Sequence, residues 1–176
     1  VPYTGKPCTP VPVVKLGKHT LTEDTGKGGD YRAIKPEHYK NNESVSKGEE
    51  VASVTIEHTA NGNFIGTTEG KFRIDPASLA NATITIEPES TTYNGKKQGP
   101  KTVTATLPSE DPDNPIVLKE GTDFEVVASA EPKNAGTIEY TIKGIEGGNY
   151  TGTSNTAAKY EIEKKPISIV PSSSVT

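Results

Sequence analysis

The chain has 176 residues, of which 31% are hydrophobic and 6% aromatic, with neither Trp nor Met. So little apolar bulk cannot fill one large core, but it suffices for two thin ones in which each sheet buries alternate side chains. The formal net charge is −4 and the lysines are dispersed; no basic stripe invites nucleic acid or anionic lipid, and no apolar run approaches the ~20 residues of a membrane span.

In chain order, Val11-Pro12-Val13-Val14 reads as a short strand with apolar residues on one face. Asp30-Tyr31 opens another, and Val51-Ala52-Ser53-Val54-Thr55-Ile56 alternates with the period of two that marks a half-buried strand. Gly62-Asn63-Phe64-Ile65-Gly66 predicts a turn, since Gly and Asn tolerate positive φ, with the ring plugging one end of the core. Lys71-Phe72-Arg73-Ile74 closes the first module and Pro76 stops its ladder. The strand candidates then recur at Thr102-Val103-Thr104-Ala105, Phe124-Glu125-Val126-Val127, Thr137–Ile142 and Lys159-Tyr160-Glu161-Ile162, before Pro166. No segment carries a helical period.

The recurrence is an internal repeat. Tyr3-Thr4-Gly5-Lys6 corresponds to Tyr93-Asn94-Gly95-Lys96, and Leu21-Thr22-Glu23 to Leu118-Lys119-Glu120. Each of the latter leads to an Asp-aromatic pair, Asp30-Tyr31 or Asp123-Phe124. Gly62-Asn63-Phe64-Ile65-Gly66 corresponds to Gly148-Asn149-Tyr150-Thr151-Gly152, and Phe72-Arg73-Ile74 to Tyr160-Glu161-Ile162. Thr83-Ile84-Thr85-Ile86-Glu87-Pro88 is echoed by Ile167-Ser168-Ile169-Val170-Pro171. The repeat unit is thus about 85–90 residues, the size of a small β-sandwich module. The expected domains are 1–76, a first repeat lacking its opening strand; 77–165, a second repeat; and 166–176, a tail that forms the first strand of a following repeat.

These blocks, together with Tyr39-Lys40-Asn41-Asn42, resemble the bacterial Ig-like repeats of cell-wall-anchored and secreted surface proteins, which occur as tandem arrays in gut Firmicutes. The resemblance covers nearly the whole chain, although the second copy carries the weaker Lys133-Asn134-Ala135-Gly136. It implies an all-β chain of two tandem Ig-like β-sandwich domains, located outside the cell as part of a stalk or adhesive array, without catalysis. It also implies a monomer whose partners are neighbouring repeats and, in some arrays, a host protein such as an immunoglobulin or matrix protein, or a glycan. An inert spacer, or an accessory module of a secreted carbohydrate-active enzyme, are the alternatives. The single cysteine, Cys8, leaves no intramolecular disulfide, and the Cys-poor, Thr-rich, acidic composition fits an exported Gram-positive protein.

Function on a shared scaffold resides in loops that depart from the repeat pattern. Here these are Gly26-Lys27-Gly28-Gly29, the stretch around Lys35, Glu37, His38 and Tyr39, and the acidic loop with Glu110, Asp111, Asp113 and Asn114. The last two groups are the candidate binding residues. Asp111, Asp113 and Asn114 lack the spacing of an EF-hand, and His19, His38 and His58 lack metal-ligand spacing. No Gly-x-Ser-x-Gly elbow is present, Cys8 reads as a small buried or surface thiol, and the closing strands lack the Asn that a Lys–Asn isopeptide bond requires. Neither cofactor nor metal is expected. The Asp of each Asp-aromatic pair is expected to accept turn N–H groups at the start of its strand.

Overall fold

In a computed structural model, which describes residues 1–169, the chain is essentially all-β, with one three-residue 3-10 turn at Pro36–His38. It divides into two compact units. Unit 1 comprises Val1–Ala77 and Glu146–Thr151, and unit 2 comprises Ser78–Ile145 and the chain from Gly152. The tail expected to open a further repeat lies partly beyond the described residues; its Ile167 and Ile169 are unpaired and 93% and 88% exposed.

Unit 1 contains β1 (Lys15–Leu16), β2 (His19–Thr20), β3 (Glu23–Asp24), β4 (Tyr31–Arg32), β5 (Tyr39–Lys40), β6 (Ala52–Glu57) and β7 (Thr67–Phe72), and reaches β8 (Ala77–Ser78). β6 is central in an antiparallel sheet ordered β5-β6-β7. Its Ala52, Val54 and Ile56 are buried at alternate positions, as the period of two predicts. Val54 and Ile56 pack with Tyr31, Val14, Leu21, Ile34 and Tyr39, whereas Ala52 joins Cys8 and Ile74. Cys8 is a buried free thiol.

Unit 2 contains β9 (Thr83–Glu87), β10 (Ser90–Thr92), β11 (Thr102–Leu107), β12 (Ile116–Leu118), β13 (Phe124–Ala128) and β14 (Gly136–Gly144). After β15 (Tyr150–Thr151), which belongs to unit 1, it ends with β16 (Ala158–Glu163). The sheets are ordered β12-β11-β9 and β10-β16-β14-β13. Ile84, Ile86 and Val103 of the first meet Ile138, Tyr140, Tyr160 and Ile162 of the second in one core. Tyr140 and Tyr160 lie edge to face, with centroids 6.2 Å apart, a geometry that the ring quadrupoles favour.

The expected strand at Val11–Val14 is the clearest departure, because the ladder begins only at Lys15. Pro10 and Pro12 lack the N–H that a ladder needs. Of the two rings expected to plug a core end, Tyr150 is buried and meets Tyr3 edge to face at 5.5 Å within unit 1, while Phe64 is half-buried.

Burial, reinforced by the Glu23 carboxylate, raises the phenol pKa of Tyr31 and Tyr39 above the usual value; burial, reinforced by Tyr160, raises that of Tyr140. The folded state then holds these protons at a pH where the unfolded chain releases them, so stability falls with rising pH. Full stability from these groups is present below about pH 10, the ordinary tyrosine value, and is lost as pH climbs through the raised folded values. Urea midpoints at pH 9 and pH 11 should show the drop, and Tyr39→Phe should reduce it.

Candidate functional site

The repeat is visible bond for bond. In unit 1 the Thr22 N–H donates to Asp30 Oδ2 at 2.8 Å, and the Asp30 N–H donates to the Thr22 carbonyl at 2.8 Å. In unit 2 the Lys119 N–H donates to Asp123 Oδ2 at 2.8 Å, and the Asp123 N–H to the Lys119 carbonyl at 2.8 Å. Each aspartate clamps the turn that launches its strand, as its place before an aromatic residue suggested. Likewise Cys8 N–H donates to the Asn42 carbonyl and Gln98 N–H to the Pro132 carbonyl, both at 2.7 Å. Tyr3 N–H donates to the Asp75 carbonyl at 2.9 Å, and Tyr93 N–H to that of Glu163 at 2.8 Å. Asp123→Ala should cost about 1–2 kcal/mol, the scale of a charge-assisted bond to main chain. Asp123→Asn, which keeps an acceptor, should lose less; denaturant midpoints separate the two.

Superposed on this scaffold, a groove recurs in the same place in both units. In unit 1 it encloses about 190 Å³ and is lined by Thr9, Pro12, Glu23, Lys35, Pro36 and Tyr39, among others. In unit 2 it encloses about 410 Å³, with Gly99, Val103, Glu120, Lys97, Pro132 and Tyr140 among its lining residues. The bonds above make Thr9 the counterpart of Gly99, and Glu23 that of Glu120. Each groove therefore offers a carboxylate, an ammonium group, proline surface and a tyrosine.

Of the residues singled out from sequence, the structure places Lys35 and Tyr39 in the first groove. Tyr39 is fixed by a hydrogen bond from its hydroxyl to the Pro10 carbonyl at 2.8 Å and by an edge contact with Phe72. His38 Nδ1 accepts the Lys35 N–H at 2.9 Å and closes the 3-10 turn, while Glu37 points to solvent. The turn is thus self-supporting: its histidine is spent on main chain, and the lysine side chain stays exposed.

Glu110, Asp111, Asp113 and Asn114 line neither groove. Asp111 Oδ1 accepts the Asp113 N–H at 3.1 Å and its Oδ2 the Asn114 side-chain amide at 2.7 Å. Ser109 Oγ, with one proton to donate, lies 2.7 Å from the Asp111 carbonyl oxygen and 2.8 Å from that of Asn114. The acidic loop uses its oxygens to close on itself, and Glu110 and Asp113 remain exposed. Among the described residues, no three His, Cys, Asp or Glu side chains cluster as metal ligands would.

Glu23, Glu120 and Tyr140 sit on the shared scaffold and carry no mark of a loop departure, whereas Lys97 and Pro132 stand where the first copy has Pro7 and Asn42. The signal that would have found Glu23 and Glu120 was the matched pair Leu21-Thr22-Glu23 and Leu118-Lys119-Glu120. A polar residue kept in both copies just before the strand start marks a repeated position, whereas a departure marks only one copy.

Residues 80–164 match the family model of the MBG domain, a β-rich repeat domain found in surface proteins. No curated protein and no solved structure matches the chain. Among the described residues no helix is long and apolar enough to cross a membrane.

Proposed function

We propose that this chain is a non-catalytic, extracellular segment of two Ig-like sandwich repeats from a bacterial surface protein, and that it binds a host protein or glycan through its repeated grooves. The observation that carries the reading is that each unit holds a groove in which the equivalent glutamate, Glu23 or Glu120, stands beside lysine, proline and tyrosine side chains drawn from differing positions of the two copies. The MBG match over 80–164 supports a surface repeat. The Gram-positive, gut-bacterial source belongs to the same proposal and rests on the resemblance of the repeat motifs.

The grooves are open and modest in volume, below or near the lower end of the ~300–1,000 Å³ of enclosed small-molecule sites. They suit a short extended stretch of peptide or a sugar unit, with affinity built from copies along an array. The test is retention of host secreted proteins and of arrayed glycans by the full chain at micromolar concentration. Lys35→Glu and Glu120→Lys, both at exposed or half-exposed groove positions, should each weaken retention. If the full chain retains nothing, the spacer reading replaces this one.

A further inference from the structure

We propose that the main-chain edge of residues 11–15 in unit 1 takes up Ile167–Ile169 of a second copy of this chain, as an added antiparallel strand. The edge is identified by equivalence. The Leu21 N–H donates to the Val14 carbonyl at 2.9 Å, where in unit 2 Leu118 pairs with Ala105 of β11. Residues 11–15 therefore occupy the place of β11. In unit 2 that strand is covered on both sides, by β12 and by β9. In unit 1 the chain through Leu21 covers one side, and among the described residues no strand pairs with the other.

The uncovered side can pair. Main-chain groups alternate along an extended strand. Because the Val14 carbonyl faces Leu21, the amides and carbonyls of Val13 and Lys15 face the other way. The missing N–H groups of Pro10 and Pro12 fall on Val14's side, so neither proline blocks the open edge. No described main-chain hydrogen bond uses Val11 or Val13, which are 85% and 72% exposed. An edge with free amides and carbonyls is a template for another strand.

The occupant is chosen by sequence. β9, Thr83-Ile84-Thr85-Ile86-Glu87, is followed by Pro88; the tail reads Pro166-Ile167-Ser168-Ile169-Val170 and is followed by Pro171. β9 sets Ile84 beside Ala105, Thr85 beside Thr104 and Ile86 beside Val103. Carried to unit 1, that register sets Ile167 beside Val14, Ser168 beside Val13 and Ile169 beside Pro12. The two isoleucines then lie on the side where Val14 already packs against Tyr31, Val54 and Ile56, as Ile84 and Ile86 do in unit 2. The pairing is one that the molecule already contains. Because donor and acceptor surfaces differ, the contact is head to tail, and the rotation between copies decides whether it closes as a reciprocal pair or ring or runs on as a filament.

Sedimentation of the full chain over a concentration series tests this. The expected result is a mass that grows beyond the monomer with concentration, and a chain that stays monomeric when Ile167→Asp and Ile169→Asp are combined. Both residues are exposed, so the variant should keep the circular dichroism of the parent. Val13→Pro, which removes an amide on the open edge, should also be monomeric; mixed with the tail variant, it should yield a one-to-one pair, since each supplies the half that the other lacks. A parent chain that remains monomeric at millimolar concentration, including by pairing with its own tail, overturns the proposal. So does self-association that survives the tail substitutions.

Discussion

Tyr160→Ala is expected to destabilise unit 2 by about 3–5 kcal/mol, the cost of emptying a large aromatic site in a packed core. Tyr160 is fully buried and lies on β16 between β14 and β10. Its ring meets Tyr140 edge to face and packs among Ile86, Ile138 and Ile162. The surrounding isoleucines and Tyr140 can relax into the space only in part. For a unit of this size, each kcal/mol moves the melting temperature by about 4–8 °C, so the loss should exceed roughly 10 °C in calorimetry. Tyr160→Phe separates packing from hydrogen bonding. It removes only the 2.8 Å contact between the hydroxyl and Thr91 Oγ1, and Thr91 Oγ1 keeps its bond from the Gln98 amide at 2.7 Å. Its cost should stay near about 0.5–1 kcal/mol. Equal losses for the two variants would show that the hydroxyl, rather than the ring, holds this site.

Gly29→Ala is the second large effect, and it arises from backbone rather than core. A Cβ at Gly29 would sit 2.5 Å from the Asp24 nitrogen, 2.7 Å from the Asp24 Cα and 2.7 Å from the Glu23 carbonyl carbon. These are main-chain atoms of β3, which runs parallel to β4 with Glu23 beside Tyr31. Main chain cannot swing aside as a side chain can, so the pair must separate, at about 1–3 kcal/mol or more. The shift also pulls on Glu23, whose Oε1 accepts the Ile34 N–H at 2.6 Å and which lines the unit 1 groove. Gly28→Ala is the control. At φ +90° and with nothing within 4 Å, it meets only the left-handed backbone penalty of about 1–2 kcal/mol. Denaturant midpoints at constant m-value should rank Gly29→Ala as the worse substitution. The reverse order would mean that the loop gives way at no cost to β3.

The two predictions differ in how far the sequence leads to them. Tyr160 follows from alternation: Tyr160 and Ile162 share one face of a strand, and that face is the core. Gly29 stands in a run of glycines that signals only a loop, and nothing local tells which glycine presses on another strand. The candidate site divides in the same way. Lys35 and Tyr39 depart from the repeat and line a groove, whereas Asp111 and Asn114 depart from it equally and close their own turn. Their neighbours in sequence satisfy them, so they have little left to offer a ligand.

The internal repeat extends to the level of individual hydrogen bonds. The chain's sequence by itself determined the all-β character, the two copies, the alternating cores of β6, β14 and β16, and the aspartate clamps at Asp30 and Asp123. Each depends on residues close in the chain, where side-chain period and turn chemistry act directly. Tertiary structure alone decided which residues line the grooves, that Tyr150 is buried in unit 1, and that among the described residues no strand pairs with the outer side of residues 11–15 while their counterpart β11 is covered on both sides. Those outcomes depend on which distant segments come to lie side by side, and short-range pattern carries no record of that proximity.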